Sequence, residues 1–354
     1  MSDAAVVAVS IGAVIAVLVG LAIVDSRMLP ATSWQRSALI TAGCAAAGVA
    51  VWLALAPFVL KDAPGYLYPT VGALGGLAAF LVTLAVRAAG AGIAPTITFA
   101  ALWSAAVFVP TAAITFSVLP WPFDLNPIDH GGSLAVNVAT GAAILGVLLA
   151  GTAGAGRARS ATISRNSGVA GVLILTLGWI VWLASVEFAV DDVTLAITVN
   201  SIVGGAGGIV GWLVVQRIRH QRTTLDAVTA GLVSGLVSIT AGAALFTPVF
   251  AVIAGLFSGA AACAFTLNRV AASRRQQWFL VGSHLVAGAT GLVILGLFAT
   301  GVGFVFTGQL VSIGEKAARA ALVAAYSAGV SFLLWSAMKI VIARVQATSQ
   351  ASPQ

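Results

Sequence analysis

The chain has 354 residues, 60% hydrophobic and only 8% charged, with a net charge of +7. A mean hydropathy of +1.07 excludes a soluble globular domain, because apolar runs of about 20 residues read as membrane-spanning helices. The 17 basic residues are spread through short connectors without interleaved aromatics, which argues against a nucleic-acid surface.

The apolar runs are uninterrupted and lack strand alternation, so helices rather than a barrel satisfy their backbones in lipid. In chain order they fall near 4–24, 36–60, 68–88, 94–117, 132–154, 168–188, 193–215, 225–244, 246–268, 278–300 and 317–343. The expectation is an all-α polytopic membrane protein of about 11 spans, a single membrane domain over 1–354 with a short polar tail at 346–354. The residues before the first run lack a basic n-region and a cleavage site, so that run reads as a retained span. The eighth and ninth runs abut at Phe246, Thr247 and Pro248, and one broken helix is the competing reading there. Cys44 and Cys263 lie inside apolar runs and point to neither a disulfide nor a metal site.

Charge assigns the orientation. Alternate connectors carry Arg27, Arg36, Arg87, Arg157, Arg159, Arg165, Arg217, Arg219, Arg222, Arg269, Arg274 and Arg275, joined by Lys339 and Arg344 near the C-terminus. The opposite side holds only Lys61, Lys316 and Arg319 among basic residues, with Asp3, Asp62, Asp124, Asp129, Glu187, Asp191, Asp192 and Glu315. The positive-inside rule then places the N-terminus outside and the C-terminus in the cytoplasm. A multi-pass plasma-membrane location follows.

The fifth span, from Gly132 to Gly146, echoes the tenth, from Gly282 to Gly296. Ser133/Ser283, Val136/Val286, Ala139/Ala289, Thr140/Thr290, Gly141/Gly291, Ile144/Ile294, Leu145/Leu295 and Gly146/Gly296 coincide at constant offset. Five helices separate the copies, so they cross the membrane in opposite directions, as in an inverted 5+5 repeat. The halves would be about 1–155 and 166–300, followed by a last helix at about 317–343. Chance among Ala, Gly, Leu and Val is the competing account. His284, in the tenth span, is an ionisable group in an apolar, Gly-rich stretch. Such a group marks a cavity, a path or a polar partner.

Several stretches in the same order resemble the ammonium transporter (Amt/Mep/Rh) family. They are Gly20 to Leu29, Asp129-His-Gly-Gly-Ser133, Gly178-Trp179-Ile-Val-Trp182, Val199-Asn200-Ser201, Gly235 to Thr240, and His284 to Ala299. The resemblance implies a divergent member, a homotrimer with one narrow pore per subunit. Ammonium would be recruited at an outer vestibule and deprotonated, then pass a pair of aromatic gates and two facing histidines. An unpaired cation enters a dry pore only at high cost, whereas ammonia does not. An imidazole suits the lining because it offers both a donor and an acceptor.

Carried over residue by residue, His284 matches the tenth-helix histidine, but its fifth-helix partner is missing. Counting from the Gly-Gly pair puts that position at Val136, and counting from the repeat puts it at Leu134. Asn137 is the polar candidate, one residue out of register. Phe116 replaces a tryptophan of the outer site, and Asp129 stands for the vestibule aspartate, displaced by one. Trp179 keeps a family tryptophan, Trp182 replaces the gate phenylalanine, and Leu183 and Val186 replace polar residues beyond it. Thr240 closes the eighth-helix motif. His130 reads as an exposed vestibule residue.

Blander roles compete: Asp129 as a helix cap, Thr240 bonded to its own helix, Phe116 as ordinary packing, and His284 held by Asn137, Thr290 or water. Trp179 and Trp182 share a helix face whatever their role. The glycines from Gly204 to Gly211 mimic a phosphate loop but follow no strand, so close helix packing is expected of them. The chain end lacks the family's long tail, which argues against a PII-type regulator. No cofactor, metal or enzyme site is expected. Two functions remain open: an ammonium/ammonia channel or transporter with a modified pore, and a similar scaffold that passes another small neutral solute or serves as a non-conducting sensor or assembly partner.

Overall fold

The computed structural model describes residues 3–25, 34–60, 64–116, 128–151, 165–268 and 275–351. Arg27, Lys61, Asp62, Asp124, Arg157, Arg159, Arg269, Arg274 and the last three residues lie outside them.

Among the described residues eleven helical segments of 15 or more residues follow one another: α1 (Asp3–Asp25), α2 (Trp34–Val59), α3 (Leu67–Ala88), α4 (Ile93–Thr115), α5 (Leu134–Ala150), α6 (Arg165–Ser185), α7 (Asp192–Ile218), α8 (Leu225–Ile239), α9 (Pro248–Asn268), α10 (Gln277–Phe298) and α11 (Val311–Ala351). Among the described residues nine are long and apolar enough to cross a membrane, whereas α5 and α8 are shorter. The chain is thus a polytopic helical membrane protein. By the charge pattern, the starts of α1, α5 and α7 and the ends of α6 and α8 lie on the outer face.

Local chemistry sets the boundaries. Pro248 occupies the first position of α9, where its missing N–H costs nothing. A 3-10 turn at Ala243–Leu245 separates that helix from α8, so the abutting eighth and ninth runs are two helices. The span expected at 225–244 stops at Ile239 for the same reason. Asp191 and Thr194 form a reciprocal capping box at the start of α7. The last helix starts earlier and runs longer than the expected 317–343, absorbing most of the predicted polar tail.

That early start takes Lys316, expected just before the last helix, into the helix with Arg319. Lys316 and Arg319 both sit inside α11, at 2% and 0% exposure. Hydropathy does not reveal their burial, because charges at the end of an apolar run resemble a solvated flank. Burial was decided by neighbouring helices.

Small residues bring the helices together, since lipid gives no hydrophobic drive for association and close packing must supply it. On α1 against α6, Gly20 faces Leu175 and Gly178 faces Ala13, Ala16 and Val17. In α7, a Cβ on Gly208 would collide with the Gly231 carbonyl of α8, and one on Gly211 with the Leu256 carbonyl of α9. The glycine run at 204–211 therefore serves backbone contact.

Among the described residues three helices contain π turns: Ser104–Phe108 in α4, Leu134–Val138 in α5 and Val281–Val286 in α10. The second lies in the stretch 132–146 and the third overlaps the stretch 282–296, the two that share identities at constant offset. Each inserts an extra residue into a turn, a distortion found mostly at functional positions.

Candidate functional site

The outer start of α5 is organised by Asp129, which is 3% exposed. Its two carboxylate oxygens accept the N–H groups of Ser133 and Leu134, both at 2.7 Å. These are orphan donors of the helix start, so the capping role is met. Burial pushes the Asp129 carboxyl above its usual range, while those two N–H groups, then the charges of Arg319 and His130, pull it back. Arg319 of α11 thus lies within electrostatic reach of the α5 cap, a relationship the sequence reading lacked.

The Gly131–Gly132 turn joins this cap to α8. The N–H of His130 donates to Ala241 O at 2.9 Å, and that of Gly131 to Thr240 O at 3.1 Å. Gly132 has φ +73°, and the Phe116 ring lies where its Cβ would stand, at 2.8 Å. Glycine is required twice over at that position, by its left-handed backbone and by the ring. The structure therefore brings Phe116 to the same turn as Asp129, and His130 is exposed as expected.

Trp179 and Trp182 are 1% and 0% exposed, with ring centroids 5.4 Å apart. Trp179 Nε1 donates to Thr240 Oγ1 at 3.2 Å, and that hydroxyl donates to Leu236 O at 2.7 Å. Thr240 therefore bonds its own helix and also anchors a tryptophan of α6. Trp182 Nε1 has no hydrogen-bond partner among the described residues. Leu183 reaches the Gly131 turn.

Deeper in the membrane lies His284, 1% exposed, on the π turn of α10. Its Nδ1 is 3.0 Å from Ser283 Oγ, and its Nε2 meets no hydrogen-bond partner among the described residues. Serine is a partner the sequence reading did not consider. Asn137, fully buried on the π turn of α5, has its amide nitrogen 3.5 Å from Ser133 Oγ and its Oδ1 unpartnered among the described residues. Asn137 Cβ lies 3.7 Å from where a Cβ on Gly288 would stand, one turn along α10 from His284. Beside them the backbone of Leu285 abuts Gly141. The two π turns thus place buried, incompletely bonded polar groups on helices in direct contact. Val136 and Leu134 are also fully buried on that turn.

Buried polar groups normally find partners, so unmet ones at the contact of two membrane helices are a functional marker. Fold and site together define a polytopic helical membrane protein with buried, unmet polar groups between its helices. The profile of the Ammonium Transporter Family matches residues 73–353, and the chain belongs to that family. A Bacillus subtilis ammonium transporter is 28% identical over 207 residues, covering 57% of this chain and 50% of the relative. The chain spans about half the length of the curated relatives it matches. Among solved structures, Saccharomyces cerevisiae Mep2 superposes with a TM-score of 0.80 at 17% identity, over 94% of this chain and 86% of that one. A structure titled Sensor Amt Protein gives 0.79 at 16% identity, over 96% and 93%. Both share the fold.

Proposed function

We propose that the chain is a multi-pass channel or transporter for ammonium, moving it as ammonia past His284. What supports this most directly is the unpartnered Nε2 of His284 in a buried π turn of a family member. Ammonia can donate to or accept from an imidazole, whereas an ammonium ion would have to leave its hydration behind in an apolar path. Asn137, on the neighbouring π turn, is the group we assign to the place of the absent second histidine. A carboxamide supplies a donor and an acceptor but no titratable proton. Trp182 and Trp179, Phe116, Asp129 and Thr240 complete the proposed outer half of the path, Val136 its wall, and a homotrimer the assembly.

Reconstitution in liposomes tests this. Ammonia- or methylammonium-dependent flux above that of empty vesicles is expected, and flux equal to that of empty vesicles with folded protein overturns it.

One observation favours a second reading, a scaffold that senses or assembles without conducting. Trp182 is wholly buried, with its N–H unpartnered among the described residues, beside Leu183 where the resemblance implies a polar residue. Binding of ammonium without flux would favour it.

A further inference from the structure

Two consecutive residues of α11 hold the π turns of α4 and α5. The Ala106 carbonyl lies inside the turn Ser104–Phe108, and in an α-helix it would receive the N–H of residue 110. That residue is Pro110, which has no N–H to give. The Tyr326 hydroxyl of α11 donates to this carbonyl. In α5 the N–H of Ala139 donates to Leu134 O and closes the turn Leu134–Val138. The carbonyl of the same Ala139 accepts the Ser327 hydroxyl at 2.6 Å. Neighbouring residues of a helix stand about 100° apart, so one step of chain lets α11 reach both partners.

Further bonds fix α11 lengthwise against α5. A Cβ on Gly146 would collide with the Ala328 carbonyl, so the two backbones touch next to Ser327. At the inner end of α5, Trp335 Nε1 donates to Gly151 O at 2.8 Å and Lys339 Nζ donates to Ala150 O. Carbonyls at a helix end have no partner within their own helix, and α11 supplies one to each. The two helices cannot slide past each other without breaking these bonds together with that of Ser327.

We infer that Tyr326 and Ser327 are positioning residues, a clip that keeps the π turns of α4 and α5 in place and thereby holds Asn137 toward α10. A π turn carries one residue more than an α-helical turn, and such irregular backbone persists only where its surroundings over-determine it. Ala139 is the residue that closes the α5 turn, and its carbonyl is the one that α11 holds. Relaxation of that turn to an ordinary α-helix would shift the residues before Ala139 by one position, a rotation of about 100°. Asn137 would then leave Gly288. This assignment rests on the transport reading only where it bears on flux.

Disulfide trapping reads the register directly. A Cβ on Gly288 stands 3.7 Å from that of Asn137, inside the ~3.5–4.5 Å that a disulfide spans. In the full-length protein in nanodiscs, with Cys44→Ala and Cys263→Ala, the pair Asn137→Cys and Gly288→Cys should cross-link on treatment with iodine. Adding Ser327→Ala or Tyr326→Phe should each lower the cross-linked fraction at least about threefold, as the loss of one hydrogen bond shifts an equilibrium. Ser327→Thr, which keeps the hydroxyl, should restore it. Ser331→Ala removes a buried hydroxyl of the same helix that has no partner among the described residues, and it should leave the fraction unchanged. No cross-link in the parent pair, an unchanged fraction in either clip variant, or an equal loss in Ser331→Ala would overturn the proposal. Cross-linking lost in Ser327→Ala, with methylammonium flux intact when the same substitution is made beside native Asn137, would instead remove Asn137 from the path and leave the clip standing.

Discussion

Trp179 of α6 donates its indole N–H to the Thr240 hydroxyl of α8 across 3.2 Å, with both side chains buried. One hydrogen bond therefore couples the aromatic pair of α6 to the turn that carries the α5 cap, since Thr240 O also accepts the Gly131 N–H.

Replacing Thr240 by Val keeps the shape and removes that acceptor. A buried donor left unsatisfied costs about 1–3 kcal/mol. Thr240→Val should lower the thermal midpoint in detergent and alter the tryptophan emission, while Thr240→Ser restores both. An unchanged emission spectrum would separate Trp179 from this bond.

The α5 cap offers a graded test. Asp129→Ala removes both acceptors from the Ser133 and Leu134 N–H groups and should destabilise the protein by roughly 2 kcal/mol. Asp129→Asn retains one good acceptor and should fall between Ala and the native residue. Chemical denaturation in mild detergent ranks the three.

Flux should depend on His284 and Asn137 through hydrogen bonding rather than size. His284→Leu and Asn137→Leu are expected to reduce methylammonium flux at least about tenfold, equivalent to ~1.4 kcal/mol on the barrier. His284→Gln, which keeps a donor and an acceptor, should retain more flux than His284→Leu. Equal flux in all variants would remove both residues from the path.

Glycine packing predicts position-dependent tolerance. Gly208→Ala places a methyl group against the Gly231 carbonyl and should cost about 1–3 kcal/mol by forcing α7 from α8. Gly12 has nothing within 4 Å of its would-be Cβ, so Gly12→Ala should leave the thermal midpoint unchanged.

Burial raises the Glu187 carboxyl above its ordinary value, with the Asp191 charge adding to the rise and the Thr194 hydroxyl opposing it. Because the folded value lies above the unfolded one, this group's contribution to stability is present at low pH and declines as pH rises through the folded value. Asp191, the cap of α7, is the titratable group acting on it. Thermal midpoints followed against pH should fall as the Glu187 carboxyl ionises, and Glu187→Gln should flatten that fall.

Much of the scaffold was legible in the chain itself. Apolar run length and the requirement that every backbone group be satisfied in lipid dictate helices and their number. Segregated arginines assign the faces, and spaced glycines announce close contacts such as Gly208 on Gly231. Even the α5 cap follows from Asp129 standing before a helix start. These features are local, so composition and spacing carry them.

Packing decided the rest. Lys316 and Arg319 stand at the start of the last apolar run as outer-side charges, and only the approach of α11 to the rest of the bundle buries them. Asn137 stands one residue from the position that motif counting selects. A π turn, which the sequence does not mark, alters the register there and brings the residue against Gly288. Glu187 reads as one acid among several on the outer side until the Thr194 hydroxyl at the start of α7 bonds it. In each case the deciding contacts join separate elements of the fold, and their geometry exists only once the helices have met.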